Sequence, residues 1–371
     1  MLDRSNRLCL WLSRAELFTV VTTMFLTPVS AEQPWYDQSI PNRNPFYQCV
    51  GADLITVADF EQMLHACARY EKFQPVGHPL KLEYLRRQAF GHVTLMQHDQ
   101  AVAMLDKILK ITPLDKTALL YRARALLWLN RLDDSLLDLD RLILLYPTDP
   151  NVFLQRARAY QFYDRRENAL ADLASAVALN PRNPDDWLNM AILFRDLGDP
   201  LKAELSLDRA IALDGENPGL YEARADLRFR KENYAGALDD IANALRDGPN
   251  YSLSIVYSIR WQASAKLGRW KDALLQLSEY MDVYADGRDS KFLFERARLY
   301  QRLGQREDAM RDLVAALQTG DERQIRRIQV YLRNNGFARI PINGIFDLGM
   351  RSALKKCLLT PSCSNAVAQP L

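Results

Sequence analysis

Residues 157–191 read ARAYQFYDRRENALADLASAVALNPRNPDDWLNMA, and this stretch contains its own ruler: Ala157 is followed by Ala191 thirty-four residues on, with Ala169 and Pro181 between them. Shifting the chain against itself by that step superposes Ala101, Ser135, Ala169, Ala203 and Ala237. The same step aligns Ala89, Ala123, Ala157, Ala191 and Ala225, and a third series runs Pro113, Pro147, Pro181, Gly215, Pro249. Small residues at two fixed places let two helices approach closely, and the proline or glycine stops the second helix. Two further copies follow after two-residue slips, marked by Ala273 and then by Ala297, Ala309 and Ala316. The spacing therefore predicts about seven helix-turn-helix units between Leu82 and Gly320, each with an apolar face that its neighbours must cover.

An all-helical unit of this length resembles the tetratricopeptide repeat (TPR) family. The residues that carry the likeness are Trp187 and Tyr221 at the early aromatic place, Leu197-Gly198, Leu267-Gly268 and Leu303-Gly304 in the turn, and Ala169-Leu170 and Ala237-Leu238 in the second helix. Ankyrin repeats would need a Thr-Pro-Leu-His signature that this sequence lacks. The resemblance implies an all-α fold, a right-handed TPR superhelix whose concave groove binds a protein or peptide. It also implies that side chains just after the small Ala of each first helix, and three to four places further on, face that groove. Arg124, Trp128, Arg158, Phe162, Arg195, Arg230 and Arg298 are the candidate groove residues. Guanidinium groups beside aromatic rings suit an extended acidic or aromatic segment, because they pair with carboxylates and stack on rings. The Lys and Asn pattern of chaperone-binding TPR domains is not reproduced, since Arg86 and Phe90 stand at the comparable places.

Four units carry Arg in the first helix and Asp sixteen residues later: Arg122 with Asp138, Arg156 with Asp172, Arg224 with Asp240, Arg296 with Asp312. Where the Arg is replaced, by Gln88 or Met190, the partner is also uncharged, Met104 or Ser206; Arg260 with Gln276 is the exception. This covariation reads as an ion pair between the two helices of a unit, holding geometry more than adding stability.

After Gly320 a different signature follows: Ile328-Gln329, Leu332, Gly336-Phe337, Ile342-Asn343-Gly344-Ile345-Phe346 and Arg351-Ser352-Ala353-Leu354. It resembles the three-helix peptidoglycan-binding domain of bacterial wall proteins, with Gly344 permitting a tight turn and Phe346 packing beneath it. Asn343, Asp347, Met350 and Cys357 depart from that family's aspartate, glycine, threonine and aromatic. Asn343, Gly344, Phe346 and Arg351 are the candidate glycan contacts. From residue 321 onward eight basic residues face three acidic ones, a net of five positive charges, which suits an anionic polymer. A degenerate helical cap on the solenoid is the alternative.

At the other end, Arg4, Arg7 and Arg14 precede the uncharged run Leu17 to Leu26, and Val29-Ser30-Ala31 closes on small residues. This is the layout of a cleavable signal peptide over 1–31, and the run has about half the length needed to span a bilayer. Export to the periplasm is expected, with no integral membrane span. Removing that segment leaves Cys49, Cys67, Cys357 and Cys363, two local pairs that suit disulfides in an oxidising compartment. Residues 32–81 then form a capping segment, with Thr56 and Asp59 as a capping box for a helix to Lys72; 82–320 form the solenoid, and 321–371 the tail domain.

Across 371 residues the net charge is +2 and 48% are hydrophobic, which excludes a disordered chain and disfavours nucleic-acid binding. The four histidines, at 65, 78, 92 and 98, make no metal-ligand spacing, and no phosphate loop or nucleophile elbow appears. The sequence therefore predicts no catalytic residues, no metal and no cofactor. It reads as an exported scaffold that holds a protein partner in its groove and docks through its tail on peptidoglycan. An assembly factor of an envelope-spanning secretion apparatus and a regulator of a cell-wall enzyme are the alternatives.

Overall fold

Asp115, Asp149, Asn183 and Asn217 recur every thirty-four residues, and each accepts a hydrogen bond from a backbone N–H at the start of a helix. Such caps fix where each repeat begins, and each is worth about 1 kcal/mol. Proline occupies the first position after three of them, at Pro150, Pro184 and Pro218, where its missing N–H is not needed.

The computed structural model describes residues 61–67, 81–248, 254–284, 289–319 and 322–360. All regular structure among them is helical, as the sequence predicts. The chain divides into two compact units, 1–181 and 182–371. The first contains a short helix at 61–67 and then α1 (Lys81–Thr94), α2 (His98–Ile111), α3 (Lys116–Trp128), α4 (Leu132–Leu145), α5 (Pro150–Phe162) and α6 (Arg166–Ala178), three antiparallel pairs. The second contains α7 (Pro184–Asp196), α8 (Pro200–Leu213), α9 (Pro218–Arg230), α10 (Tyr234–Ala244), α11 (Ser254–Lys266), α12 (Trp270–Tyr284), α13 (Ser290–Arg302) and α14 (Arg306–Thr319), four pairs, followed by α15 (Glu322–Asn334) and α16 (Leu348–Cys357).

The small residues lie where the helices meet. Ala101, Ala123, Ala157, Ala169, Ala203, Ala225 and Ala237 are fully buried. Ser135, standing in the alanine series, donates its hydroxyl to the Ala123 carbonyl at 2.9 Å, so the substitution leaves no polar atom stranded. Each turn between paired helices passes through a left-handed residue: Met96, Asn130, Asp164, Gly198, Glu232, Gly268 and Gly304, all with φ between 55° and 76°. The sequence marks only the three glycines of this series; the other four side chains tolerate a conformation that disfavours them.

The Arg–Asp pairs form, and they extend further than a single unit. Arg122 reaches Asp138 at 2.6 Å within its repeat and Asp106 of the preceding repeat at 2.6 Å. Arg156 bridges Asp172 and Asp140 at 2.6 and 2.7 Å, and Arg224 bridges Asp240 and Asp208, both at 2.6 Å. Arg296 binds Asp312 at 2.7 Å. For Arg122, Arg156 and Arg224 the carboxylate sixteen residues before the Arg is thus as much a partner as the one sixteen after, and there the motif fastens successive repeats together. Arg260 instead reaches Glu279 at 3.2 Å.

At the start of the first unit, Met63, Ala66 and Cys67 are buried against α1, and a side chain at Gly91 would strike Met63 and Leu64. A glycine here allows the closest approach of the 61–67 helix. Cys49, the proposed capping box and the signal segment lie outside the described residues. At the far end α15 and α16 share one core with the last repeat: Leu313, Ala316 and Leu317 of α14 pack in the same cluster as Ile325, Ile328, Leu332, Met350 and Leu354. Cys357 is fully buried in that core, whereas Cys363 lies outside the described residues.

Candidate functional site

Along α3 the residues Tyr121, Arg124 and Trp128 fall at i, i+3 and i+7, on one face of the helix. Tyr121 is buried, while Arg124 and Trp128 are half-buried. The Arg124 guanidinium lies over the Tyr121 ring, 5.7 Å from its centroid. The Trp128 indole stacks on His98 of α2, with ring centroids 5.3 Å apart and planes inclined by 5°. Burial holds the His98 imidazole below its ordinary pKa, only partly opposed by Asp99, so at neutral pH Trp128 stacks on an uncharged ring. On α5, Arg158 and Phe162 are half-buried, and Phe162 makes an edge contact with Tyr163 at 5.1 Å. The Tyr163 hydroxyl in turn donates to Asn130 at 3.0 Å. Arg124, Trp128, Arg158 and Phe162 therefore sit at matching register on two consecutive first helices.

In the second unit the candidate arginines have a different character. Arg195 and Arg230 both approach Asp226, at 3.9 and 2.8 Å, and both are exposed. Arg298 pairs with Glu295 at 3.1 Å, one turn away on the same helix. Burial raises the Glu295 pKa, against which Arg298 acts. These three cations are matched by carboxylates of their own unit. For Arg124 no hydrogen bond or ion pair occurs among the described residues, and burial pushes its pKa below the usual guanidinium value, with Tyr121 opposing.

The tail places its four candidates in two roles. Gln329, buried in α15, accepts from the backbone N–H groups of Asn343 and Gly344 at 3.0 and 2.9 Å, and donates to the Asn343 side chain and the Ile345 carbonyl, both at 2.9 Å. Asn343 also accepts from the Ile345 N–H at 3.0 Å, and Gly344 has φ +75°. Asn343 and Gly344 are therefore the turn itself, held by Gln329, a residue the sequence marks as part of the motif without revealing this task. Phe346 and Arg351 instead line an open cavity of about 810 Å³ together with Leu317, Gln318, Ile325 and Leu348. Leu348 is 82% exposed at its mouth. No cluster of His, Cys, Asp and Glu able to hold a metal occurs among the described residues, and no described helix is long and apolar enough to cross a membrane.

Residues 92–150 and 188–252 match the profile of the tetratricopeptide repeat family. In those two segments the repeats have the tetratricopeptide pattern. The solved structures that resemble this chain include a tetratricopeptide repeat protein from Parabacteroides merdae, 19% identical, covering 62% of this chain and 88% of its own, with a TM-score of 0.45. A thermophilic TPR protein of Thermus thermophilus is 26% identical over 50% of this chain and 98% of its own, with a TM-score of 0.39. PilW, a type IV pilus biogenesis factor, is 17% identical over 55% of this chain and 94% of its own, with a TM-score of 0.45. No curated protein matches the chain in sequence.

Proposed function

We propose that the protein is an exported, non-catalytic scaffold that holds a segment of a protein partner on the face of its first unit formed by α3 and α5. The observation that carries this reading is the pairing of Arg124 with Trp128 and Arg158 with Phe162 at equivalent register, half-exposed on helices whose other faces are consumed by repeat packing. Large rings and guanidinium groups left in that state are the composition of binding hot spots. The basic, uncharged and small-residue layout of residues 1–31 supports export to the periplasm, and the short sequence spacing of Cys49 from Cys67 and of Cys357 from Cys363 supports disulfide staples there. A photo-crosslinking residue at position 162, followed by mass spectrometry of adducts formed in cells, tests the groove. Adducts only at random surface positions, and none at 162, overturn it.

The cavity beneath Phe346 supports a second contact. Its exposed Arg351 stands in a segment carrying five net positive charges, so docking on anionic peptidoglycan is proposed for the tail. Sedimentation with purified peptidoglycan, comparing wild type with Arg351→Glu and Phe346→Ala, tests it; equal recovery of all three removes wall docking. Because α15 and α16 share the core of the last repeat, point variants are safer than deletion of the tail.

A further inference from the structure

Arg122 and Arg124 stand two residues apart on α3, and their surroundings differ in kind. Arg122 satisfies its guanidinium with Asp106 and Asp138. Arg124 has the Tyr121 ring beneath it and, among the described residues, no carboxylate at all. Removing a cation from water without pairing it is unfavourable, so a guanidinium left this way destabilises the repeat that carries it. Such an expense is expected where an absent group completes the pair.

We propose that Arg124 receives the side-chain carboxylate of an Asp or Glu in the bound partner segment, with Tyr121 as its floor and the Trp128 ring receiving an apolar side chain of the same segment. This rests on the groove reading given above and narrows it to an acidic-plus-apolar ligand. One guanidinium matches the single charge of a carboxylate, whereas a phosphate group at about −1.5 to −2 would remain half-neutralised. The rings supply attraction that a part-exposed ion pair alone does not, because such pairs contribute little on their own. Trp128 is held flat against His98 and is half-buried, so its ring is already ordered. Arg195, Arg230 and Arg298 are already paired, with Asp196, Asp226 and Glu295 respectively.

The probe is acetyl-Asp-Ala-Phe-amide, whose first and third side chains share one side of an extended chain. Arginine Nε–Hε resonances of the full chain are followed during titration, the Arg124 signal being assigned by its loss in Arg124→Lys. A saturable shift of that signal is expected, at least tenfold weaker with the Asn analogue and absent in Arg124→Gln. An equal response to the Asn peptide, or a stronger one to inorganic phosphate, overturns the proposal. Arg124→Met should melt at the same temperature as wild type or above it, because an unpaired cation is lost; a marked fall shows a structural role and also overturns it. Crosslinking at position 162 separates the two readings. Equal capture of the same partner by wild type, Arg124→Lys and Arg124→Gln leaves the groove intact and refutes the carboxylate contact, whereas no capture by any of them refutes the groove itself.

Discussion

Replacing Arg156 by Met tests whether the Arg–Asp series is a fastener between repeats. In the native repeat Asp172 retains 6% of its side-chain exposure and is held by two nitrogens of Arg156; Asp140, 54% exposed, is held by the third. Loss of the Arg leaves Asp172 buried and unpaired, which places the penalty near the range for breaking a buried pair, about 3–5 kcal/mol. Because Arg156 itself keeps 22% exposure and water can reach the vacated space, about 2–3 kcal/mol is the better figure. The exposed contact to Asp140 adds under about 0.5 kcal/mol. The fourth repeat shows how a neutral site is built at the same two places, with Met190 and Ser206 both buried. Arg156→Met combined with Asp172→Ser should accordingly recover to within about 1 kcal/mol of wild type, a coupling of about 2 kcal/mol. Solenoids open repeat by repeat, so the readout is native-state hydrogen exchange at amides of α5 and α6, where the single variant should lose protection by roughly thirtyfold or more. A single variant that loses less than about 1 kcal/mol, or a double variant as open as the single, refutes the fastener.

Three other perturbations follow from the geometry. Gly198→Ala, at φ +74°, should lower stability by about 1 kcal/mol, while Glu232→Gly at the same turn of the next repeat should raise it by a few tenths; thermal melting of both decides. Gln329→Ala strands the N–H groups of Asn343 and Gly344 and should destabilise the tail by about 2–3 kcal/mol, seen as faster exchange in α15 and α16 with the repeats before α13 unchanged. Burial depresses the His98 pKa, so its contribution is complete above the unfolded value near 6.5 and is lost as pH falls through the lower folded value. Acidification from pH 7.5 to 5 should loosen α2 against α3 and change the fluorescence that Trp128→Phe removes.

How far the sequence could be read depended on whether a residue's job recurs. Ala101, Ala169 and Ala203 do the same thing in every repeat, and so do Arg122 and Arg156, so a shift by thirty-four residues exposes them. The Asp106 and Asp140 half of the ion-pair series is hidden in the repeat pattern for a physical reason: it joins neighbouring repeats, whereas the pattern defines single units. Met96 and Glu232 gave no sign of their left-handed backbone because the propensity argument recognises glycine there. Gln329 was visible as a motif residue, but its four hydrogen bonds depend on a turn fourteen residues away.

The binding face was the least legible part, since sequence places a side chain on a helix face without revealing what neutralises it. Arg124, Arg195, Arg230 and Arg298 look alike as a series of cations. Geometry separates them, because Asp196, Asp226 and Glu295 pair with the last three. The contrast is sharpest on α3. Two residues turn the helix by about 200°, so Arg122 points into the seam between repeats while Arg124 leaves it on the opposite side. A seam can supply carboxylates from both adjoining repeats and does, through Asp106 and Asp138. On the opposite side the described residues bring Arg124 the Tyr121 ring and no carboxylate. The same thirty-four-residue geometry that closes one arginine therefore leaves the other open, and the proposed carboxylate contact is argued from that difference.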